Sequence, residues 1–292
     1  MKFMKVLVLG GTRFFGVHMV NALLNKGHDV AIATRGKTQD SFGDKVERII
    51  IERTNQKSLS EALGRRYFDV VCDNLAYCSN DVKYLLDSLR CGRYVMTSSA
   101  SVYLNHHLNT AEGEFDSLSH PFKWCSRQDY SYDEIKRQAE CALFSEYSQF
   151  PSVAIRFPYV IGVDDYTQRL YFYVEQIIKG NPMNLDNLDE QIGFINSAEA
   201  GAFLAWIAEQ KFVGAINGNS QGTISLYEII NYVEQKTGKK AVFSIEGLKG
   251  TYNGQKPFSL DISRANNLGY CFTELKDWIY VLLDKYINIA NR

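Results

Sequence analysis

The residues best suited to chemistry are a tyrosine and a lysine four positions apart, Tyr132 and Lys136, in the run YDEIK. On an α-helix this spacing places the phenol and the ammonium on one face. The ammonium stabilises the phenolate by its charge and can also donate a hydrogen bond to a cofactor ribose. Such a phenol can exchange a proton with a substrate hydroxyl while a nicotinamide takes or gives hydride. Among 18 tyrosines the spacing also arises by chance, so a solvated helix is the alternative for the motif alone.

A cluster of hydroxyl side chains precedes this pair in the run TSSASVY, residues 97–103. The cluster follows an apolar run at 93–97 that predicts a strand. Hydroxyls placed directly after a parallel strand project over the carboxyl edge of the sheet, which is where such folds bind ligands. The order of strand, hydroxyl cluster and Tyr-Lys helix is the one that the chemistry requires, and it favours a catalytic interpretation of Tyr132 and Lys136.

The element that positions a cofactor for this chemistry is a β-α-β unit at residues 5–36. A near-continuous aliphatic run at 5–9 predicts a buried strand, and a second strand is predicted at 30–34. Between them, Gly10 ends the first strand and Gly16 opens a helix. A helix N-terminus reached through glycines can hold a pyrophosphate, although many turns need glycine for geometry alone. The two flanking strands favour nucleotide binding over a purely structural turn.

Alternating strands and helices in the rest of the chain predict an α/β fold, a doubly wound parallel sheet with a smaller C-terminal lobe. We predict a nucleotide-binding domain at 1–158 and a smaller lobe at 159–292, partly interleaved with the sheet domain. A polar segment at 104–130 is expected to be a mobile lid. The further strands are predicted at 46–51, 68–76, 93–97 and 153–157, and the helices at 58–65, 80–91 and 132–147, the first with a capping box at Ser58 and Glu61.

The composition is that of an ordinary globular protein, with 46% hydrophobic and 22% charged residues among 292. A net charge of −1 argues against a nucleic-acid partner. No apolar run approaches the ~20 residues that span a bilayer, and the N-terminus lacks a signal-peptide pattern, so we predict no membrane association and a cytoplasmic location. The six cysteines form no C-x-x-C pair and do not cluster with the five histidines, so no metal site is predicted.

Several runs together resemble the extended short-chain dehydrogenase/reductase superfamily, the NAD-dependent epimerase/dehydratase group, over nearly the whole chain. They are KVLVLGGTRFFG, YVMTSSASVY, YDEIK followed by RQAE, RFPYVIG and DISRANNLGY. The resemblance implies a seven-stranded Rossmann sheet, a small substrate lobe and a catalytic set made of Ser99, Tyr132 and Lys136. It also implies a homodimer formed through the helices at 80–91 and 132–147.

The resemblance further implies which residues contact the cofactor. Pro158, in RFPYVIG, matches a proline that packs near the nicotinamide ring, and Glu52 stands where family members often carry an adenine-contacting aspartate. The full predicted set comprises Gly10, Thr12, Arg13, Phe14, Phe15, Gly16, Arg35, Glu52, Leu75, Lys136 and Pro158.

Three departures from the family pattern bear on the cofactor. Arg13 replaces the middle glycine of the turn, as in an atypical branch that includes plastid RNA-associated proteins. Thr34 replaces the acidic residue that ends the second strand, and Arg35 follows it, so two guanidinium groups can meet a 2′-phosphate that nothing repels. We therefore expect NADP to be favoured over NAD, unless both arginines are merely solvated. The segment 73–76, Asp-Asn-Leu-Ala, replaces the Asn-Ala-Ala type of segment that commonly follows the fourth strand in this family.

The leading interpretation is an NAD(P)-dependent epimerase/dehydratase or reductase that acts on a hydroxyl-bearing small molecule, for which a nucleotide-linked sugar is one candidate. The alternative is a non-catalytic nucleotide-sensing or RNA-associated protein that has retained the fold. The presence of Ser99, Tyr132 and Lys136 together favours the enzyme, since a non-catalytic fold has no physical need for them.

Overall fold

The computed structural model describes residues 3–292. Its strands are β1 (Lys5–Leu9), β2 (Asp29–Thr34), β3 (Glu47–Ile50), β4 (Tyr67–Phe68), β5 (Val70–Asp73), β6 (Arg90–Cys91), β7 (Tyr94–Ser99), β8 (Ser152–Phe157), β9 (Tyr159–Ile161), β10 (Pro182–Asn184), β11 (Phe194–Asn196), β12 (Gly214–Asn217), β13 (Val242–Phe243) and β14 (Leu248–Lys249). Its helices are α1 (Phe15–Asn25), α2 (Gln56–Leu63), α3 (Ser79–Leu86), α4 (Tyr132–Cys141), α5 (Arg169–Lys179), α6 (Ser197–Ile207), α7 (Leu226–Thr237), α8 (Ser263–Asn267) and α9 (Leu275–Ala290).

A seven-stranded parallel sheet forms the centre of the fold, in the order β12-β8-β7-β5-β1-β2-β3. The order reverses direction at β1, which is the arrangement of a doubly wound sheet. The central strands are aliphatic throughout because both of their faces are covered, and residues 6–9 of β1 are fully buried. The predicted α/β class with a Rossmann-type sheet is confirmed.

The chain divides into two compact units. The first contains the residues up to Leu104, Glu112–Phe157 and Ala198–Gly218, and the second contains Asn105–Ala111, Pro158–Ser197 and Asn219–Arg292. Each has an apolar core of its own. The edge strand β12 belongs to the first unit although it lies far beyond residue 158 in the chain.

Several element boundaries differ from the predicted ones for local reasons. Strand β5 ends at Asp73, which frees residues 74–77 to form a turn at the sheet edge. The predicted capping box of α2 is wrong, because Asn55 caps this helix by accepting a hydrogen bond from the Ser58 N–H at 3.1 Å. The Ser58 hydroxyl instead accepts from the Glu52 N–H at 2.9 Å. Helix α4 continues as a π-helical turn at Ala142–Glu146.

The segment 104–130 is anchored rather than free along much of its length. Within the second unit, the Thr110 N–H donates to the Ser259 carbonyl at 2.9 Å. Within the first unit, Arg156 donates to the Glu112 carbonyl at 2.8 Å and to the Phe115 carbonyl at 3.1 Å. The lid stays a prediction, and any closing movement would be confined to the stretches between these anchors.

Residues 121–126 of this segment lie along α3 and α4. The Gln138 side chain donates to the Pro121 carbonyl at 2.9 Å and accepts from the Lys123 N–H at 2.6 Å. On the other helix, the Ser79 hydroxyl donates to the Lys123 carbonyl at 2.9 Å. Dimer formation through these two helices therefore remains a prediction about a surface that is partly covered by the chain itself.

Among residues 3–292, no helix combines the length and the apolar character that crossing a membrane requires.

Candidate active site

Two glycines close the turn between β1 and α1. Gly10 has a φ of 77°, which glycine adopts without strain. At Gly16 a Cβ would lie 2.1 Å from the Gly10 carbonyl oxygen, so a larger residue cannot enter unless the turn opens. Within residues 3–292, the N–H groups of Arg13 and Phe15 have no hydrogen-bond acceptor. These donors at the start of a helix suit a cofactor pyrophosphate.

The remaining predicted residues of this turn differ in exposure. Phe14 is buried and has a φ of 53°, an uncommon conformation for a residue with a bulky side chain. The Phe15 ring is half-buried and lies 6.2 Å from the Phe157 ring. Thr12 is half-buried, and Arg13 extends into solvent.

The turn at residues 74–77 connects the glycine turn to the catalytic motif. The Leu75 side chain covers Gly10, since a Cβ built there would lie 2.9 Å from Leu75 Cγ. Asn74 accepts a hydrogen bond from the Thr97 hydroxyl at 2.7 Å, which joins the ends of β5 and β7. Residues 74–77 therefore lie between the predicted cofactor turn and the hydroxyl cluster.

Lys136 points into this turn and is almost fully buried, with 3% of its surface exposed. Its Nζ donates to the carbonyls of Ala76 at 2.7 Å and Thr97 at 3.0 Å. It also lies 4.7 Å from the centre of the Tyr77 ring, within cation–π range. Two of the three ammonium protons are thus committed to the backbone, which leaves one for a ribose hydroxyl or a phenolate.

Tyr132 begins α4 and is half-exposed, with 50% of its surface accessible. Its ring meets the edge of the Tyr77 ring at a centroid distance of 6.2 Å. The structure therefore gathers Tyr132 and Lys136 around Tyr77, which the sequence analysis did not single out. The only available signal for Tyr77 was its position directly after the unusual segment 73–76.

The hydroxyls of the 97–101 cluster have different partners. Thr97 and Ser98 are buried donors, and Ser98 donates to Glu140 at 2.5 Å. Ser99 is half-buried, and its Oγ accepts from the Ser101 N–H at 3.1 Å. The Ser99 hydroxyl therefore still has its proton to donate to a substrate oxygen, as its predicted role requires.

A buried ion pair lies beneath this cluster. Arg156 and Glu140 approach to 2.6 Å, and their side chains are 1% and 0% exposed. The Arg156 guanidinium also donates to the Tyr103 hydroxyl at 3.2 Å. Burial raises the pKa of Tyr103 to about 12, so this phenol stays protonated and has a structural role. Sequence reasoning did not find the Arg156–Glu140 pair.

A second buried carboxylate fixes the start of the 74–77 turn. One oxygen of Asp73 accepts from the Leu75 N–H at 2.9 Å. The other accepts from Arg53 at 2.5 Å and from the Tyr94 hydroxyl at 2.9 Å. Burial raises the pKa of Tyr94 well above its usual value, so this phenol remains a donor. Asp73 thereby links the backbone of Leu75 to the buried side chains of Arg53 and Tyr94.

Three further predicted cofactor residues stand just after strands of the fold. Arg35 is exposed after β2, and Glu52 is exposed after β3, where its carboxylate accepts from the Thr54 hydroxyl at 3.2 Å. Pro158 follows β8 directly and is the first residue of the stretch Pro158–Ser197 of the second unit. The roles of Arg35, Glu52 and Pro158 stay predictions.

Comparison with known proteins identifies the class to which this fold and site belong. Residues 6–217 match the NAD dependent epimerase/dehydratase family. The chain belongs to this family, as the motifs predicted.

The chain is also similar to one curated protein and to solved structures of nucleotide-sugar epimerases. The chloroplast stem-loop binding protein of 41 kDa b from Arabidopsis thaliana is 27% identical over 226 residues, which make up 71% of this chain and 56% of that protein. The chain thus spans little more than half the length of this curated relative. UDP-glucose 4-epimerase from Thermotoga maritima superposes with a TM-score of 0.77 at 15% identity, covering 98% of this chain and 99% of the other. UDP-glucuronic acid 4-epimerase from Bacillus cereus, solved with NAD, gives 0.73 at 19% identity, with 98% and 100% covered.

Proposed function

We propose that this protein is an NAD(P)-dependent epimerase, dehydratase or reductase that acts on a hydroxyl-bearing small molecule, with a nucleotide-linked sugar as the leading candidate. The observation that carries the proposal is the gathering of Tyr132 and Lys136 at the 74–77 turn, whose Leu75 packs on the glycine turn. The nucleotide-sugar class is supported by the substrates in the names of two solved structures of the same fold.

In the proposed reaction, a bound nicotinamide would supply the hydride acceptor. The Tyr132 phenolate removes the proton of a substrate hydroxyl as the carbon bearing it loses hydride, so that the C–O bond becomes a carbonyl. Ser99 donates a hydrogen bond to the substrate oxygen and holds it near the phenol. Lys136 supplies a positive charge one helical turn from Tyr132 and, with its remaining proton, holds a ribose hydroxyl. Reduction is the reverse of these steps.

The direct test is turnover of a defined probe. We expect the purified protein, supplied with NAD or NADP, to convert UDP-glucose or UDP-glucuronic acid into a product that chromatography and mass spectrometry separate from the substrate. Denaturing the protein as purified and identifying the released nucleotide by mass spectrometry would establish cofactor binding independently. Failure to bind either dinucleotide, together with retention of a stem-loop RNA at physiological salt, would favour the RNA-associated alternative.

We also propose that the site prefers NADP to NAD. The Thr34 hydroxyl accepts from the Gly36 N–H at 3.1 Å, so no carboxylate at this position would repel a 2′-phosphate. Both Arg13 and Arg35 are exposed, and within the described part of the chain neither guanidinium has a partner. One well-formed guanidinium–phosphate contact implies a preference of roughly tenfold.

Calorimetric titration of the apo-protein with NADP and with NAD tests this preference. We expect NADP to bind roughly tenfold more tightly, and Arg35→Ala to remove most of the difference because it removes a phosphate contact. Arg65→Ala, which removes an exposed arginine after α2, is the matched control and should leave both affinities unchanged. Equal affinities in the parent protein would contradict the proposal.

A further inference from the structure

Arg127 is a cation beside the candidate site to which no motif has assigned a role. Its Nε donates to Asp81 at 3.0 Å, and another of its nitrogens donates to the Leu75 carbonyl at 2.9 Å. The guanidinium carbon lies 4.6 Å from the centre of the Tyr77 ring. The side chain is 32% exposed, so it reaches the turn from the solvent side.

The turn that Arg127 contacts is the one that holds Lys136. Consecutive carbonyls accept from the two cations: Leu75 from Arg127 and Ala76 from Lys136. Both cations also lie within 5 Å of the same ring, at 4.6 Å and 4.7 Å from the centre of Tyr77. A shift of this turn would therefore change the surroundings of both.

Asp81 completes the arrangement. The Asp81 carboxylate oxygen that accepts from Arg127 also accepts from the Tyr77 N–H at 2.8 Å. Arg127, Asp81 and Tyr77 thus form a closed set of contacts in which each touches the other two. The charge on Asp81 strengthens both hydrogen bonds that it accepts.

We propose that Arg127 is a positioning residue for Lys136. Arg127 contacts Leu75 and Tyr77 from the solvent side of the turn. These contacts keep the Ala76 carbonyl and the Tyr77 ring in position to contact the Lys136 ammonium. Arg127 belongs to the part of the segment 104–130 that begins at Glu112 and lies in the first unit. Ordering of that part and placement of Lys136 therefore occur together. The consequence for catalysis rests on the proposed function, whereas the positioning itself does not.

The decisive measurement is the reactivity of Lys136 without any nucleotide. Acetic anhydride should modify Lys136 slowly, because the side chain is buried and doubly hydrogen-bonded. We expect Arg127→Met to raise the modification rate of Lys136 about tenfold, since the turn then opens more often. The rate at Lys57, whose side chain is 84% exposed, should not change and provides the internal reference.

Further variants separate positioning from a general loss of stability. Arg127→Lys should restore part of the protection, because it keeps the charge but not the planar fork and stacking. Arg48→Met is the matched control, because Arg48 is likewise an arginine paired with a carboxylate, to which it donates two hydrogen bonds at 2.6 Å and 3.0 Å. In this variant the modification rate of Lys136 should be as low as in the parent protein. If Arg127→Met does not fold, Asp81→Asn weakens the same contacts and should also expose Lys136.

An unchanged modification rate of Lys136 in the folded Arg127→Met or Asp81→Asn variant would overturn the proposal. A modification rate raised equally at Lys26, which is half-buried and paired with Glu209 in the same unit, would overturn it too, because that is the result of general destabilisation. NADH binding, followed by fluorescence, should weaken about tenfold in Arg127→Met and not in Arg48→Met. A parent protein that binds neither NADH nor NADPH would contradict the proposed function, while the labelling experiment would still decide the role of Arg127.

Discussion

Replacing Tyr132 with phenylalanine is expected to reduce turnover of any accepted substrate by ~10²–10⁴-fold while leaving dinucleotide affinity almost unchanged. The substitution removes only the transferable proton, and the half-exposed ring can keep its edge contact with Tyr77. The measurement is steady-state turnover on the probe sugar, with calorimetric binding of the dinucleotide in parallel. Tyr130→Phe, which changes an exposed phenol two positions earlier, should retain full activity.

Lys136→Met provides the complementary result. We expect it to reduce both turnover and dinucleotide affinity, because it removes the charge one helical turn from Tyr132 and the remaining donor to the ribose. It also leaves the carbonyls of Ala76 and Thr97 without their donor, so thermal stability must be recorded for the same sample. Full activity in Tyr132→Phe, or an unchanged dinucleotide affinity in Lys136→Met, would contradict the assigned roles.

The second large effect is expected at the buried ion pair beneath the hydroxyl cluster. Glu140→Gln should lower the free energy of unfolding by about 3–5 kcal/mol, because it leaves the Arg156 charge buried without its counter-charge. For a protein of this size the melting temperature should fall by roughly 10 °C. Denaturant titration followed by circular dichroism gives the free energy, and differential scanning calorimetry gives the melting temperature.

Two further variants make this result specific. Glu61→Gln, in the exposed pair with Lys57 at 3.9 Å, is the same substitution in the same unit and should leave stability nearly unchanged. The double variant Glu140→Gln/Arg156→Met should be less destabilised than the sum of its single changes, since no unpaired charge remains. A Glu140→Gln protein as stable as the Glu61→Gln control would show that Arg156 finds adequate partners without the carboxylate.

The parts of the fold that the sequence predicted correctly are those with strong local patterns. The aliphatic run at residues 5–9, ended by Gly10, predicted the buried strand that the structure contains, and the glycines at 10 and 16 define the turn that follows it. The Tyr132–Lys136 spacing also defines a helix face, which the structure places over the end of β7. Periodicity and glycine chemistry act over short distances along the chain, so one sequence is enough to recognise them.

The parts that were not predicted depend on contacts between distant residues. Lys136 is held by backbone carbonyls of residues 76 and 97, and any residue type supplies a carbonyl. The partners Glu140 and Arg156 stand 16 residues apart in the chain, on α4 and β8, and no local pattern pairs them. The capping box at Ser58 was wrong because Asn55 offered a competing cap in the same stretch. Which of two adjacent caps is used depends on where the tertiary structure starts the helix.

The late arrival of strand β12 in the chain affects how the protein can be made. This strand pairs with β8, and its last residue, Asn217, donates to the Glu112 carboxylate at 2.9 Å and accepts from the Tyr103 hydroxyl at 2.6 Å. Until the ribosome has released residue 217, β8 must remain an open edge with unpaired backbone groups. During translation the first unit is therefore exposed to aggregation and to chaperone binding until residue 217 has been synthesised. A fragment that stops near residue 158 would lack β12, and β8 would remain an unpaired edge strand.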